Sequence, residues 1–148
     1  MDAARAIVIN NGKYLVMERN KYGKKYLTLV GGRLEVGETP QKAVIREVFE
    51  ETGLVVISPR LVFVEAPLEN YGKQYIYLCE YTSGEPLLPE NSEEFAAAKS
   101  GEDTYLPRWA ELTELRQNFI PFMSEKLRTE LLNCYPDNFP SEPITWQP

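Results

Sequence analysis

Three glutamates, Glu47, Glu50 and Glu51, stand at i, i+3 and i+4, with Arg46 immediately before the first of them. On a helix these spacings bring side chains into one arc, so the segment reads as a helix that carries three carboxylates together. Like charges so placed repel by some tenths of a kcal/mol per pair, and clustering them needs compensation. A hard divalent cation supplies it, since Mg²⁺ favours carboxylate oxygens completed by waters and substrate phosphates. An acidic helix face is ordinarily only solvated. What separates this one from that bland case is the loop before it, where Gly31, Gly32 and Gly37 permit close backbone approach next to a helix N-terminus, which favours anions.

The helix has clear ends. Thr39 is a good N-cap, Pro40 suits the first helical position, and Gly53 can take the left-handed conformation that closes a helix. The pattern predicts that Ile45, Val48, Phe49 and Thr52 pack inward, opposite the carboxylates, with Arg46 on the flank four residues before Glu50.

From Gly32 to Leu54 the chain reads Gly, five free positions, Glu38, seven free, Arg46-Glu47, an apolar residue, one free, Glu50-Glu51, one free, Gly53, an apolar residue. At average residue usage such a match arises by chance with a probability on the order of one in ten million. The segment resembles the Nudix box, and the chain is identified as a member of the Nudix hydrolase family, whose members cleave diphosphate linkages in nucleoside diphosphate derivatives. The resemblance implies a Mg²⁺ or Mn²⁺ cofactor held by Glu47, Glu50 and Glu51, with the Gly32 carbonyl as a further ligand. It also implies that Arg46 orients a box carboxylate and that Glu38 holds the loop or approaches the metal through water. Gly31 and Gly32 would then border the diphosphate, and Arg19, at the end of a strand, would contact a phosphate.

The general base is left open by the resemblance. In many Nudix enzymes it is a box glutamate, here Glu50; in others it is a carboxylate on the loop before the strand that carries a Trp. That loop runs from Glu90 to Tyr105 ahead of Trp109, and its candidates are Glu102 first, by distance from Trp109, and Glu94 second. Substrate choice lies outside the box: nucleoside triphosphates, nucleotide sugars and dinucleoside polyphosphates are all open. Tyr71, 17 positions after Leu54, matches a position that goes with dinucleoside polyphosphates in some members, and Pro67 lies near one that goes with ADP-ribose. Where many members carry a Trp and then Pro-Gly-Gly, this chain has Leu27-Thr28-Leu29-Val30-Gly31-Gly32, which departs from the family's loop shape but spares the carboxylates.

The elements that must hold these residues follow from local pattern. Ala3 to Asn10 and Lys13 to Glu18 are apolar runs joined by Asn-Asn-Gly, a hairpin signal. Tyr26 to Val30 reads as a third strand, Val55 to Ala66 and Lys73 to Tyr81 as two more joined by a turn around Leu68 to Gly72, and Tyr105 to Trp109 as another. Glu111 to Gln117 and Ile120 to Cys134 read as helices. Together they predict an α/β chain with a mixed sheet covered by helices on both faces, in agreement with the α/β/α sandwich that the resemblance implies.

At 148 residues the chain is the size of one domain, read as 1–134 followed by a Pro-rich extension, 135–148. Pro136, Pro140, Pro143 and Pro148 exclude a regular helix or a central strand there. Such an arm either packs along its own domain or reaches across a homodimer. The net charge of -6 gives no basic surface for nucleic acid or anionic membrane, so the expected partner is a small-molecule nucleotide. Histidine is absent, which removes the usual serine- and cysteine-hydrolase triads. Cys79 and Cys134 have no metal-binding or redox spacing, and no signal-like or membrane-spanning stretch is present, so the chain reads as cytoplasmic. Two rivals remain: a catalytically silent Nudix-like nucleotide-binding module, and an isomerase of the isopentenyl diphosphate type, for which Cys79 is poorly placed.

Overall fold

The computed structural model describes residues 1–67, 72–87 and 103–148. Eight strands form one sheet: β1 (Ala3–Asn10), β2 (Lys13–Lys21), β3 (Lys24–Thr28), β4 (Val30–Arg33), β5 (Val55–Glu65), β6 (Gln74–Ser83), β7 (Asp103–Glu111) and β8 (Ile144–Trp146). Helix α1 (Pro40–Thr52) follows β4, and α2 (Leu112–Gln117) and α3 (Glu125–Cys134) follow β7.

The hairpin forms at Asn11-Gly12, where both residues have the positive φ that a tight turn of this hand requires. β1 and β2 then part after two paired positions, Ile9↔Tyr14 and Asn10↔Lys13. Beyond them β1 pairs antiparallel with β4, from Ala6↔Val30 to Ala3↔Arg33, and parallel with β6 on its other side. β2 pairs with β3 and β7. The stretch expected as one strand, Tyr26 to Val30, is therefore two: the chain leaves β2 after Thr28 and joins β1 at Val30. Local pattern could not show this, because both halves are apolar and extended and only the partner changes.

Alternation along β1 gives the sheet two cores. Ala4, Ala6 and Val8 pack with Val44 and Val48 of α1, while Ile7 packs with Leu115 of α2 and with Leu127 and Leu131 of α3. This is the mixed sheet with helices on both faces that the sequence predicts. Tyr14, fully buried, donates its hydroxyl to the Leu131 carbonyl at 2.6 Å and ties α3 to the hairpin.

The last helix starts later than the expected Ile120. It begins at Glu125, capped by the Ser124 hydroxyl, because the residues before it are held extended: Leu27 bridges Phe122 and exchanges backbone hydrogen bonds with Pro121 and Met123. The Pro-rich tail packs along its own domain. Phe139 and Trp146 both lie against Phe63, and β8 adds a parallel edge to β5 at Phe63↔Ile144 through Glu65↔Trp146. No helix among the described residues is long and apolar enough to cross a membrane.

Candidate active site

Helix α1 starts and ends where its sequence says. The Thr39 hydroxyl accepts from the Lys42 amide, Pro40 occupies the first turn, and Gly53, left-handed at φ 77°, returns its N–H to the Phe49 carbonyl. The face it buries differs from expectation. Ala43, Val44, Val48, Glu51 and Thr52 are inside, whereas Ile45 and Phe49 are 36% and 57% exposed. The helix is rolled so that the sheet side includes Glu51 and the edge bearing Glu47. A helical pattern fixes which residues share an arc, and with apolar residues on both flanks it does not fix which arc meets the sheet.

This roll brings Glu47 and Glu51 over β4. The Glu51 carboxylate accepts from the Gly31 amide at 3.4 Å, and the Glu47 carboxylate lies against the Gly32 Cα. A side chain on Gly31 would meet the Ala4 carbonyl oxygen at 2.0 Å, so only glycine lets β4 approach β1 at this point. Gly31, Gly32, Glu47 and Glu51 line a cavity of about 500 Å³ together with Arg5, Arg19 and Tyr105.

Arg46 organises the rim. Its Nε and Nη2 donate to the two oxygens of Glu38, at 2.7 and 2.9 Å, and its Nη1 donates to Glu47 and Glu50, both at 2.9 Å. The Glu38 carboxyl, which also accepts from the Glu35 amide at 3.0 Å, is held down to about 2, first by its hydrogen bonds from Arg46 and then by that amide. In return the Arg46 guanidinium is shifted upward, chiefly by Glu38. One cation therefore fixes three of the carboxylates read from the sequence. Glu50 is the outermost, its side chain 53% exposed.

Among the described residues no group of three or more acidic or thiol side chains is placed so that it could hold a metal ion. Glu47 and Glu51 nevertheless face one cavity, and the Gly32 position, where a Cβ would lie 2.6 Å from the Glu47 carboxyl carbon, keeps that carboxylate close to the β4 backbone. Carboxylate oxygens beside a glycine backbone are the donor types a hard divalent cation takes, so the residues present fit such an ion.

Arg19 is on β2 and lines the same cavity. Its Nη2 donates to Asp103 at 2.7 Å and to the Tyr105 hydroxyl at 2.9 Å, and its guanidinium stacks 3.8 Å from the centre of the Tyr105 ring. Among the described residues its Nε and Asp103 Oδ1 are buried without a hydrogen-bond partner. Glu94, Glu102 and Tyr71 lie outside the described residues.

Sequence reasoning passed over Arg5. It lies within the apolar run of β1, and its Nη1 donates to the carbonyls of Leu29 and Gly31 while its Nε donates to Gln74 Oε1. Burial lowers its pKa, and the nearby Glu51 and Glu47 oppose that shift. The signal was available: a charge inside Ala-Ala-Arg-Ala-Ile-Val is out of place in a core strand unless something anionic or polar meets it.

A two-faced α/β sheet, a glycine-lined loop and a carboxylate helix clamped by one arginine make up this site. The NUDIX domain description matches residues 1–129, and the chain belongs to the Nudix hydrolase family. Among curated relatives it is 38% identical over 100 residues to the NAD-capped RNA hydrolase NudC of Mannheimia succiniciproducens, covering 63% of this chain and 36% of that protein. It is 30% identical over 122 residues to putative nudix hydrolase 1 of Caenorhabditis elegans, covering 80% of this chain and 30% of that one. The chain thus spans about a third of the length of these relatives. In fold it is similar to an ADP-ribose pyrophosphatase from Streptococcus suis, with a TM-score of 0.68, 20% identity and 98% of both chains covered. It is also similar to a MutT protein from Bacillus halodurans, with a TM-score of 0.62, 19% identity, and 99% of this chain and 90% of that one covered.

Proposed function

We propose that this protein hydrolyses a diphosphate linkage in a nucleoside diphosphate derivative, with Mg²⁺ or Mn²⁺ as cofactor. The observation that carries this reading is the single cavity in which the Glu47 and Glu51 carboxylates face Arg5 and Arg19. Carboxylates and guanidinium groups lining one cavity suit a polyanion bound together with a cation.

Glu47, Glu51 and Glu50, with the Gly32 carbonyl, would hold the ion, which when bound supplies charge neutralisation at the diphosphate and a lowered pKa for water. The chain's own residues do the rest. Arg46 keeps Glu47 and Glu50 oriented before substrate arrives, so no reorganisation is needed at the moment of reaction. Glu38 completes the fork of Arg46 and, through the Glu35 amide, fixes the loop between β4 and α1. Arg5 and Arg19, each already anchored, present fixed positive charge to the phosphates, and Gly31 and Gly32 let the backbone border them. Glu50 reaches solvent at the rim and is the first candidate for general base, with Glu102 and Glu94 as the alternatives.

The test is a screen of nucleotide derivatives with Mg²⁺ and Mn²⁺, following products by phosphorus NMR. Hydrolysis that vanishes on chelation and in Glu51→Gln is expected. A Glu51→Gln protein that kept wild-type turnover would sink the site assignment, and tight nucleotide binding with no product from wild type would favour a silent binding module. Gln at Glu50, Glu94 and Glu102 in turn then identifies the base by its pH profile.

A further inference from the structure

Arg5 has a second side. Together with Thr28 and Leu29 it lines the first cavity and also a separate one of about 250 Å³ between the sheet and the start of α3. The wall of the second cavity is mostly apolar, from Leu29, Ile76, Phe122 and Leu127, with a few polar groups aimed inward. Glu65 is one of them. It closes β5, is only 8% exposed, and has one oxygen saturated: Ser124 Oγ and Trp146 Nε1 both donate to Oε1. Among the described residues Ser124 and Trp146 both bond Oε1, which leaves Oε2 as the oxygen open to the cavity. Gln74 faces the same cavity and uses its Oε1 for Arg5 Nε, which leaves its amide NH₂ as a donor.

A carboxylate oxygen that opens on a mostly apolar cavity is an acceptor for any ligand donor placed there, and leaving it unmatched by a bound ligand costs affinity. Here this oxygen, an amide donor and apolar walls meet in a space adjoining the diphosphate cavity, with Arg5 at the waist. We propose that this second cavity is the base subsite, that it takes a nucleobase bearing an amino group, and that Glu65 Oε2 selects the base by accepting its N–H. The proposal rests on the reading of the first cavity as the diphosphate site. A sugar fits less well, because its hydroxyls would lie against Ile76, Phe122 and Leu127 without partners. A heterocycle offers apolar faces to those side chains and polar atoms only at its edge. Trp146 is a positioning residue, since its indole N–H turns Glu65 so that Oε2 is the oxygen left to the cavity.

The experiment measures kcat and KM of the full-length chain for matched adenosine, cytidine, guanosine and uridine derivatives, and in parallel titrates the corresponding nucleoside monophosphates by NMR. Wild type is expected to favour amino-bearing bases over uracil by about tenfold or more, mainly through KM. Glu65→Gln, which keeps size and can still accept from Ser124 and Trp146, should erase that preference, the KM ratio between uracil and amino-bearing bases falling toward one. Trp146→Phe should weaken the preference in the same direction. An identical base profile in wild type and Glu65→Gln, or no base preference in wild type, overturns the proposal. If no derivative is cleaved yet the titrations show a Glu65-dependent preference, the hydrolase reading fails and the base subsite stands.

Discussion

Gly32 and Glu47 share one space: the Glu47 carboxyl carbon lies 2.6 Å from where a Cβ on Gly32 would be. The clash is with the far end of a flexible side chain and not with backbone, so a substitution displaces the carboxylate and leaves the strand in place. Gly32→Ala is expected to lower kcat/KM by about 100-fold while the melting temperature changes by no more than a few degrees. A near-wild-type rate in a folded Gly32→Ala protein would show that Glu47 does not have to lie where it does.

Arg46 reaches Glu38, Glu47 and Glu50 with a planar fork that lysine lacks. Arg46→Lys is expected to cost about 10- to 100-fold in kcat, with a stability loss on the order of 1 kcal/mol, since much of the network is open to solvent. Steady-state kinetics beside a urea titration measures the two effects separately. Equal losses in Arg46→Lys and Arg46→Ala are the expected outcome, because neither can hold three carboxylates.

Glu38 gives the pH dependence a sign. Its carboxyl is depressed from the ordinary value of 4.5 to about 2, so the folded state binds its proton less readily than the unfolded chain. The stability it contributes is fully present above about pH 4.5 and is lost as pH falls toward about 2. Urea unfolding from pH 7 down to pH 2.5 should show wild type ahead of Glu38→Gln at neutral pH, with the gap closing only below about pH 4.5. A gap that closed above pH 6 would assign the dependence to another group.

The two thiols are predicted to be inert in the native protein. Cys79 is buried, and burial pushes its thiol up to about 12; Cys134 is also buried and raised, first by burial and then by Glu130. The thiolate is the reactive form, so both should resist a maleimide at pH 7.5 and label in denaturant. Mass spectrometry counts the adducts, and rapid native labelling of Cys79 would contradict its place beneath α1.

The caps of α1, the hairpin at Asn11-Gly12 and the clustering of Glu47 with Glu51 were legible because each depends on residues close in sequence. The inward roll of α1, which exposes Ile45 and Phe49, was not, since it depends on what the sheet offers the helix. The switch from β2 to β1 around Leu29 was hidden for the same reason. Arg5, a charge inside the apolar β1, was a signal that local pattern offered, whereas Glu65 at the end of β5 offered none. Their meaning comes from Gln74, Ser124 and Trp146, which lie 69, 59 and 81 residues away in the sequence.

Phe139 is 7% exposed and packs on Phe63, so the tail contributes to the core although its prolines suggested an arm. Phe139→Ala is expected to cost about 3 kcal/mol in a urea titration. A loss under about 0.5 kcal/mol would mean that the tail leaves the domain in solution.

The short pairing of β8 with β5 also bears on how this protein behaves at high concentration. β5 is 11 residues long, carries exposed Val55 and Ile57, and has β6 on one side. On its other side β8 covers Phe63 to Glu65, and Arg60 donates to the Pro140 carbonyl at 2.6 Å, so a proline-bearing segment runs beside the open backbone groups. Proline cannot continue a ladder, and a strand that ends in such a segment gives a neighbouring molecule little to add to. The last 14 residues thus act as a selvedge on the sheet, and a chain cut after Cys134 would be left with a sticky border along which copies could join.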